Sequence, residues 1–178
     1  MKVLVVVDMQ NDFVTGSLGT KEAEAIVPHV VGRVAEAKSR RERLFFTRDT
    51  HEANYLQTQE GRKLPVEHCI RGSAGWQIVA PRTEYTLDET AVVLDKPTFG
   101  STELGGRLRL LNEQETIEAV TLIGLCTDIC VISNALLVKA CLPETPVRVE
   151  AACCAGVTPE SHRRALGAMS SCQIEIVE

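Results

Sequence analysis

Five consecutive apolar residues, Val3-Leu4-Val5-Val6-Val7, leave a strand no face for solvent. Four of them are β-branched, and Asp8 ends the run. A strand covered on both faces belongs to a parallel sheet with helices packed on either side. Similar short runs recur at Leu44–Thr47, Ala91–Leu94, Ala119–Leu125, Val147–Val149 and Ile174–Val177. Between them, apolar residues return at helical spacing. Val27, Val30, Val31, Val34 and Ala35 mark one helix, with Pro28 expected in its first turn. Leu104, Leu108 and Leu111 mark a second, and Ile129, Ile132, Leu136 and Leu137 a third. Ala165, Leu166 and Met169 mark a fourth, opened by Thr158 as N-cap and Pro159 at its first position. This alternation predicts an α/β fold: a doubly wound three-layer sandwich with a mostly parallel sheet of about six strands, one domain over residues 1–178.

In such sheets the ligand lies outside the carboxyl ends of the strands. That rule selects residues before any motif is considered. Asp8 ends strand one, Asp49 and His51 end strand two, Lys96 ends strand three, and Cys130 follows strand four. Near Cys130, Val120–Ile123 reads as a buried strand, and Gly124 with Thr127-Asp128 as a tight turn. Cys130 then falls in the first turn of a helix, where unpaired N–H groups and the helix dipole lower a thiol's pKa. This reading expects a partly exposed nucleophile in electropositive surroundings. The competing reading is a small buried core residue.

An acid, an amine and a thiol on one rim make a coherent chemical set. Lys96 would hold Cys130 as thiolate by charge. Asp8 would move the proton between thiol and leaving amine, with Asp12 as a rival for that work. Cys130 would attack a carbonyl and form a thioester. The backbone N–H groups of Cys126 and Cys130 are candidates for the oxyanion hole, worth roughly 3–4 kcal/mol per donor. Each residue alone has a structural reading: Asp8 as a loop cap, Lys96 as a solvated strand end.

Asp49 and His51 stand two apart in extended chain, so their side chains leave one face. Glu60 and His68 follow in a segment punctuated by Gly61, Pro65, Gly72, Gly75 and Pro81, long for a connection and therefore a functional candidate. One carboxylate, two imidazoles and a further carboxylate suit Zn²⁺, Mn²⁺ or Fe²⁺. The alternative is a surface Asp-Thr-His turn beside an unrelated loop histidine. His29 and His162 read as helix residues, His162 as a packing or supporting group.

The remaining composition narrows the partners. A net charge of −5 argues against nucleic acid or an anionic membrane. No apolar run approaches a membrane span, and the amino-terminal run lacks a signal peptide's cleavage site. Seven cysteines, an odd number without a C-x-x-C pair, predict reduced thiols and a cytoplasmic location.

Five segments together resemble the isochorismatase-like cysteine hydrolases, and most closely their nicotinamidase/pyrazinamidase branch. They are Val7-Asp8-Met9-Gln10-Asn11-Asp12-Phe13, Thr47-Arg48-Asp49-Thr50-His51, Leu64-Pro65-Val66-Glu67-His68-Cys69, Lys96-Pro97-Thr98-Phe99-Gly100-Ser101 and Gly124 to Val131. The resemblance implies a triad of Asp8, Lys96 and Cys130 and one divalent metal, zinc before manganese or iron, held by Asp49, His51 and His68. Some relatives add a glutamate where Glu60 stands. Phe13 matches an aromatic wall of the substrate pocket, and a non-proline cis peptide is expected just before Cys126. Leu64 departs from the pattern, as many nicotinamidases carry Trp before that proline, and the position of Cys126 is more often Ala or Val. The implied activity is hydrolysis of nicotinamide to nicotinic acid and ammonia by a homo-oligomeric enzyme. The alternatives are a relative acting on another small amide, and a non-enzymatic thiol-bearing binding module.

Overall fold

The computed structural model describes residues 1–79 and 91–178, so Pro81 lies outside the described residues. In chain order the elements are β1 (Lys2–Val7), α1 (Asn11–Val14), α2 (Lys21–Ser39), β2 (Arg43–Asp49), a 3₁₀ turn (Tyr55–Gln57) and α3 (Gln59–Lys63). Then come β3 (Val92–Lys96), α4 (Thr102–Gln114), β4 (Ala119–Leu125), a π-helical turn (Thr127–Val131), α5 (Ile132–Cys141), β5 (Val147–Ala155), α6 (Pro159–Ser171) and β6 (Glu175–Val177). The six strands form one sheet in the order β3-β2-β1-β4-β5-β6, and every pairing is parallel. All carboxyl ends therefore share one rim. The crossovers reverse direction between β1 and β4, where open α/β sheets leave their ligand crevice.

The continuous apolar runs do what two covered faces require. From β1, Val3, Val5 and Val7 join the core beneath α4, α5 and α6, while Leu4 and Val6 join the core beneath α2. Each such fully buried side chain contributes about 1.5–3 kcal/mol. In α2 the buried residues Ala23, Ile26, Val30, Val34 and Ala37 follow the helical repeat. Among the described residues, no helix is long and apolar enough to cross a membrane.

Four local expectations are corrected. Pro28 lies inside α2, not in its first turn. The helix starts at Lys21, where Thr20 Oγ1 accepts from the Ala23 N–H at 3.0 Å and Glu22 and Glu24 favour the dipole. Gly124 lies within β4 rather than in a turn. Its φ is +116°, and a Cβ there would stand 2.1 Å from Val7 O, so only glycine lets β4 run against β1 at the crevice. β5 extends to Ala155 instead of stopping at Val149. Glu150 breaks the apolar pattern there but is paired with Arg33 at 2.8 Å, which lets the strand continue. Finally, Cys130 sits in a π-wound turn ahead of α5, where the Val131 N–H donates to Cys126 O at 3.0 Å. Such widened turns concentrate at functional sites.

Candidate active site

Strand register sets the first cluster. Asp49 and Lys96 are paired neighbours at the ends of β2 and β3. Asp8, one residue past β1, has φ +46° and donates its N–H to Thr47 O at 3.2 Å. The Lys96 ammonium reaches Asp8 Oδ2 at 2.6 Å, Asp49 Oδ1 at 3.5 Å, Thr98 O at 3.1 Å and Cys130 Sγ at 3.5 Å. The other Asp8 oxygen accepts from the Thr47 hydroxyl at 2.7 Å. Asp8, Lys96 and Cys130, expected together from sequence, thus form one buried constellation.

Its electrostatics differ from expectation. Cys130 is buried, not partly exposed, with 4% of its surface accessible. Burial raises its thiol pKa, Asp8 raises it further, and Lys96 only partly opposes them. Burial and Asp8 thus oppose the thiolate expected from sequence, while Lys96 favours it. Burial also lifts Asp8 above the usual carboxylate range, with Lys96 opposing. That makes Asp8 a stronger base than an exposed aspartate. Burial alone would lower the Lys96 pKa, but Asp8 and then Cys130 carry it upward, so the amine stays charged.

The Cys130 turn is bound to the Lys96 loop. Asn134, fully buried, donates to Cys130 O at 2.8 Å and Phe99 O at 3.1 Å, and accepts from the Ser101 N–H at 2.9 Å. The Leu125–Cys126 peptide is cis, as the resemblance implied.

The second cluster is contiguous with the first through Asp49. One donor atom each from Asp49, His51, Glu60 and His68 fall within 4.8 Å of one another. His51 Nε2 lies 3.1 Å from Asp49 Oδ2 and 3.6 Å from Glu60 Oε1. His68 Nε2 lies 3.5 Å and 3.9 Å from the same two atoms. Metal–ligand bonds of about 2.0–2.1 Å at a tetrahedral angle separate ligand atoms by about 3.3 Å, so these spacings suit one ion. His68 Nδ1 is 2.8 Å from Val66 O, which can only accept, so Nδ1 carries the proton and Nε2 faces inward with its lone pair. Burial would raise the Asp49 pKa, but His51, His68 and Lys96 hold it well below the usual range. Burial, then Asp49, raises Glu60. Two carboxylates opposed in this way suit a divalent cation between them.

Supporting residues fix this donor set. Gln10 donates to Asp49 O at 2.8 Å and accepts from the Asp49 N–H at 2.7 Å. Asp12 accepts from the Cys69 N–H at 2.7 Å, next to His68. It therefore anchors the His68 segment, and its expected rivalry with Asp8 is corrected. The Tyr55 ring packs 4.6 Å from His51 and 4.9 Å from His68, centroid to centroid. Gln10, Tyr55 and Asn134 were not found from sequence. Gln10 and Asn134 are buried amides whose partners include residues more than 30 positions away, and Tyr55 packs on two histidines that only the folded loop brings together, relations that local periodicity does not encode.

Both clusters open into a cavity of about 240 Å³. Asp49, Glu60, His68, Cys126 and Cys130 line one side, and Phe13, Leu18, Leu64, Phe99, Ile129 and Val157 form apolar walls. Phe13 also stands 5.6 Å from the His68 ring. The space is small and suits one compact ring or short chain rather than a drug-sized ligand.

The family model described as Isochorismatase domain matches residues 2–178. A nicotinamidase of Saccharomyces cerevisiae is 24% identical, with 76% of this chain and 80% of that protein covered. The crystal structure of a pyrazinamidase of Pyrococcus horikoshii in complex with zinc superposes with a TM-score of 0.82 at 29% identity, covering 99% of this chain and 98% of that one. A nicotinamidase/pyrazinamidase from Bacillus subtilis gives a TM-score of 0.86 at 23% identity over the full length of both chains, a likeness of fold.

Proposed function

Since the chain belongs to the isochorismatase family of hydrolases, we propose that it is a cysteine-dependent, metal-containing amidohydrolase acting on nicotinamide. The observation that carries this reading is the position of Lys96. Its ammonium lies 2.6 Å from Asp8, 3.5 Å from Cys130 and 3.5 Å from Asp49, so a nucleophile, a base and the metal-type cluster share one cation at the floor of the cavity that Cys130 and Asp49 line. The similarity to a nicotinamidase and to a zinc-bound pyrazinamidase supports the substrate class.

In this reading the carboxamide carbon lies over Cys130 Sγ. Asp8 takes the thiol proton as sulfur adds to the carbonyl, and Lys96 holds the carboxylate in line. The N–H groups of Cys126 and Cys130 receive the developing oxyanion. Asp8 returns its proton to the nitrogen, the C–N bond breaks, and ammonia leaves a thioester on Cys130. Water, deprotonated by Asp8, then cleaves the thioester, releasing the acid and restoring the thiol. Asp49, His51, His68 and Glu60 would hold the divalent ion, which the similarity to a pyrazinamidase in complex with zinc favours as zinc. Bound there, the ion supplies a Lewis-acidic point for a ring nitrogen. Phe13 and the apolar walls stack on the ring and exclude water.

The test is ammonia release from nicotinamide and from a panel of aliphatic amides. Turnover of nicotinamide by wild type and none by Cys130→Ala is expected. Equal rates in the two proteins refute the nucleophile, and turnover of an aliphatic amide alone refutes the substrate.

A further inference from the structure

The turn bearing Cys126 and Cys130 is gripped from behind by the connection between β5 and α6. Thr127, its first residue, has no exposed surface, and its hydroxyl lies 2.8 Å from His162 Nδ1, near the start of α6. The next residue, Asp128, accepts from the Val157 N–H at 3.0 Å through Oδ1. Gly156 permits this approach, because a Cβ there would stand 2.8 Å from His162 N and 2.9 Å from Asp128 Oδ1. The two tethers join segments 35 and 29 residues apart, so they are tertiary and not local turn chemistry. Burial holds the His162 imidazole below its usual range, with Asp128 opposing, which favours the neutral ring, and one hydrogen bond joins Nδ1 to the hydroxyl.

Nothing in the hydrolysis uses His162 directly, yet it supports the residue between the two amides assigned to the oxyanion. We propose that His162 is a positioning residue: through Thr127 it fixes the π-wound turn so that the Cys126 and Cys130 amides and the Cys130 sulfur face one carbonyl. Loss of the tether leaves the walls formed by Phe13, Leu18, Leu64 and Phe99 in place but lets the amides of the turn drift. The effect therefore falls on kcat and not on KM. This inference rests on the proposed hydrolysis for its kinetic consequence, but not for its structural one.

Three substitutions separate this role from simple packing. His162→Asn puts an amide where Nδ1 stood, able to donate or accept. His162→Gln places its amide nearer Nε2, and His162→Ala removes the group. With nicotinamide as probe, kcat falls about 10- to 100-fold for Ala and Gln, the loss expected for a misplacement of about an ångström, while KM stays within about twofold. Asn stays within about threefold of wild type. Thr127→Val combined with His162→Ala loses no more than Thr127→Val alone, since both remove one bond. Wild-type kcat in the Ala variant, an Asn variant no better than Gln, or fully additive losses overturn the proposal. If Ala does not fold, the Asn and Gln pair decides. Hydrogen exchange of the amides at 126–131 gives a reading without substrate, expected about tenfold faster in Gln than in Asn. If wild type cleaves no amide, the proposed hydrolysis fails and exchange alone judges the tether. Equal protection in all variants then overturns it.

Discussion

The two clusters that meet at Lys96 are held in different ways. Asp8 and Lys96 sit at the ends of β1 and β3, and Cys130 in the turn after β4, so register places them. The second cluster has one residue on a strand, Asp49, while His51, Glu60 and His68 come from the segment between β2 and β3. There, position is set by side chains reaching for backbone: Gln10 on Asp49, Asp12 on Cys69, Thr58 on Gly61 at 3.0 Å beside Glu60. The Cys130 half, nucleophilic in the proposed reading, is a property of the sheet, and the Asp49/His51/Glu60/His68 half is a property of its hydrogen bonds. Substitutions that spare the sheet should therefore damage the second half selectively.

The largest expected effect tests the sheet-bound half. Cys130→Ala should lower the rate of ammonia release by about 10⁴-fold or more while leaving thermal stability and metal content close to wild type. Loss of metal along with activity would break the separation of the two halves. Next comes the donor half itself. His68→Ala, or stripping the wild type with a chelator, should cost about 10²-fold in kcat/KM, and added zinc should restore the stripped wild type but not the variant. Undiminished activity after metal analysis finds no bound ion would remove the donor half from the mechanism.

A smaller effect sharpens the contrast. Asp12→Ala leaves every donor in place but frees the Cys69 amide, and should weaken metal binding about 10- to 100-fold in a chelator competition. At saturating zinc its kcat should return to near wild type. The smallest effect concerns the resting thiol. Burial raises the Cys130 pKa, so the thiolate fraction at pH 8 is low and increases as pH rises past the ordinary thiol range. Alkylation by iodoacetamide should therefore be about tenfold slower at Cys130 than at exposed Cys172 at pH 8, with the gap narrowing above pH 9. Faster reaction at Cys130 would return the site to the thiolate expected from its sequence position.

The same contrast explains what the sequence disclosed. Strand ends were readable because doubly covered strands are written as unbroken apolar runs, and the parallel arrangement then gathered Asp8, Asp49, Lys96 and the Cys130 turn on one rim without further information. The α6 start at Thr158 and Pro159 was readable for a local reason: capping is decided within four residues. Pro28 misled because proline prefers a first turn, while the apolar stripe from Ala23 to Ala37 outweighed its cost. The end of β5 was hidden by Glu150, whose partner Arg33 stands on a distant helix. Gln10 and Asn134 were invisible for a related reason. A buried amide is stable only through its partners, and apart from Cys130, four residues before Asn134, theirs lie 33 to 66 residues away. The burial of Cys130 was hidden because helix position is visible in sequence and desolvation is not.

The Asn134 amide has a consequence for how this scaffold could change its diet. By tying Phe99, Ser101 and Cys130 into a single body, it makes the loop after β3 an unsuitable place for insertions or new loop shapes. Any remodelling there would drag Cys130 with it. Tolerance for differently shaped ligands must instead come from the opposite wall, where the Leu18 and Leu64 side chains line the cavity away from Cys130, whereas Val157 is tied to the Cys130 turn through Asp128.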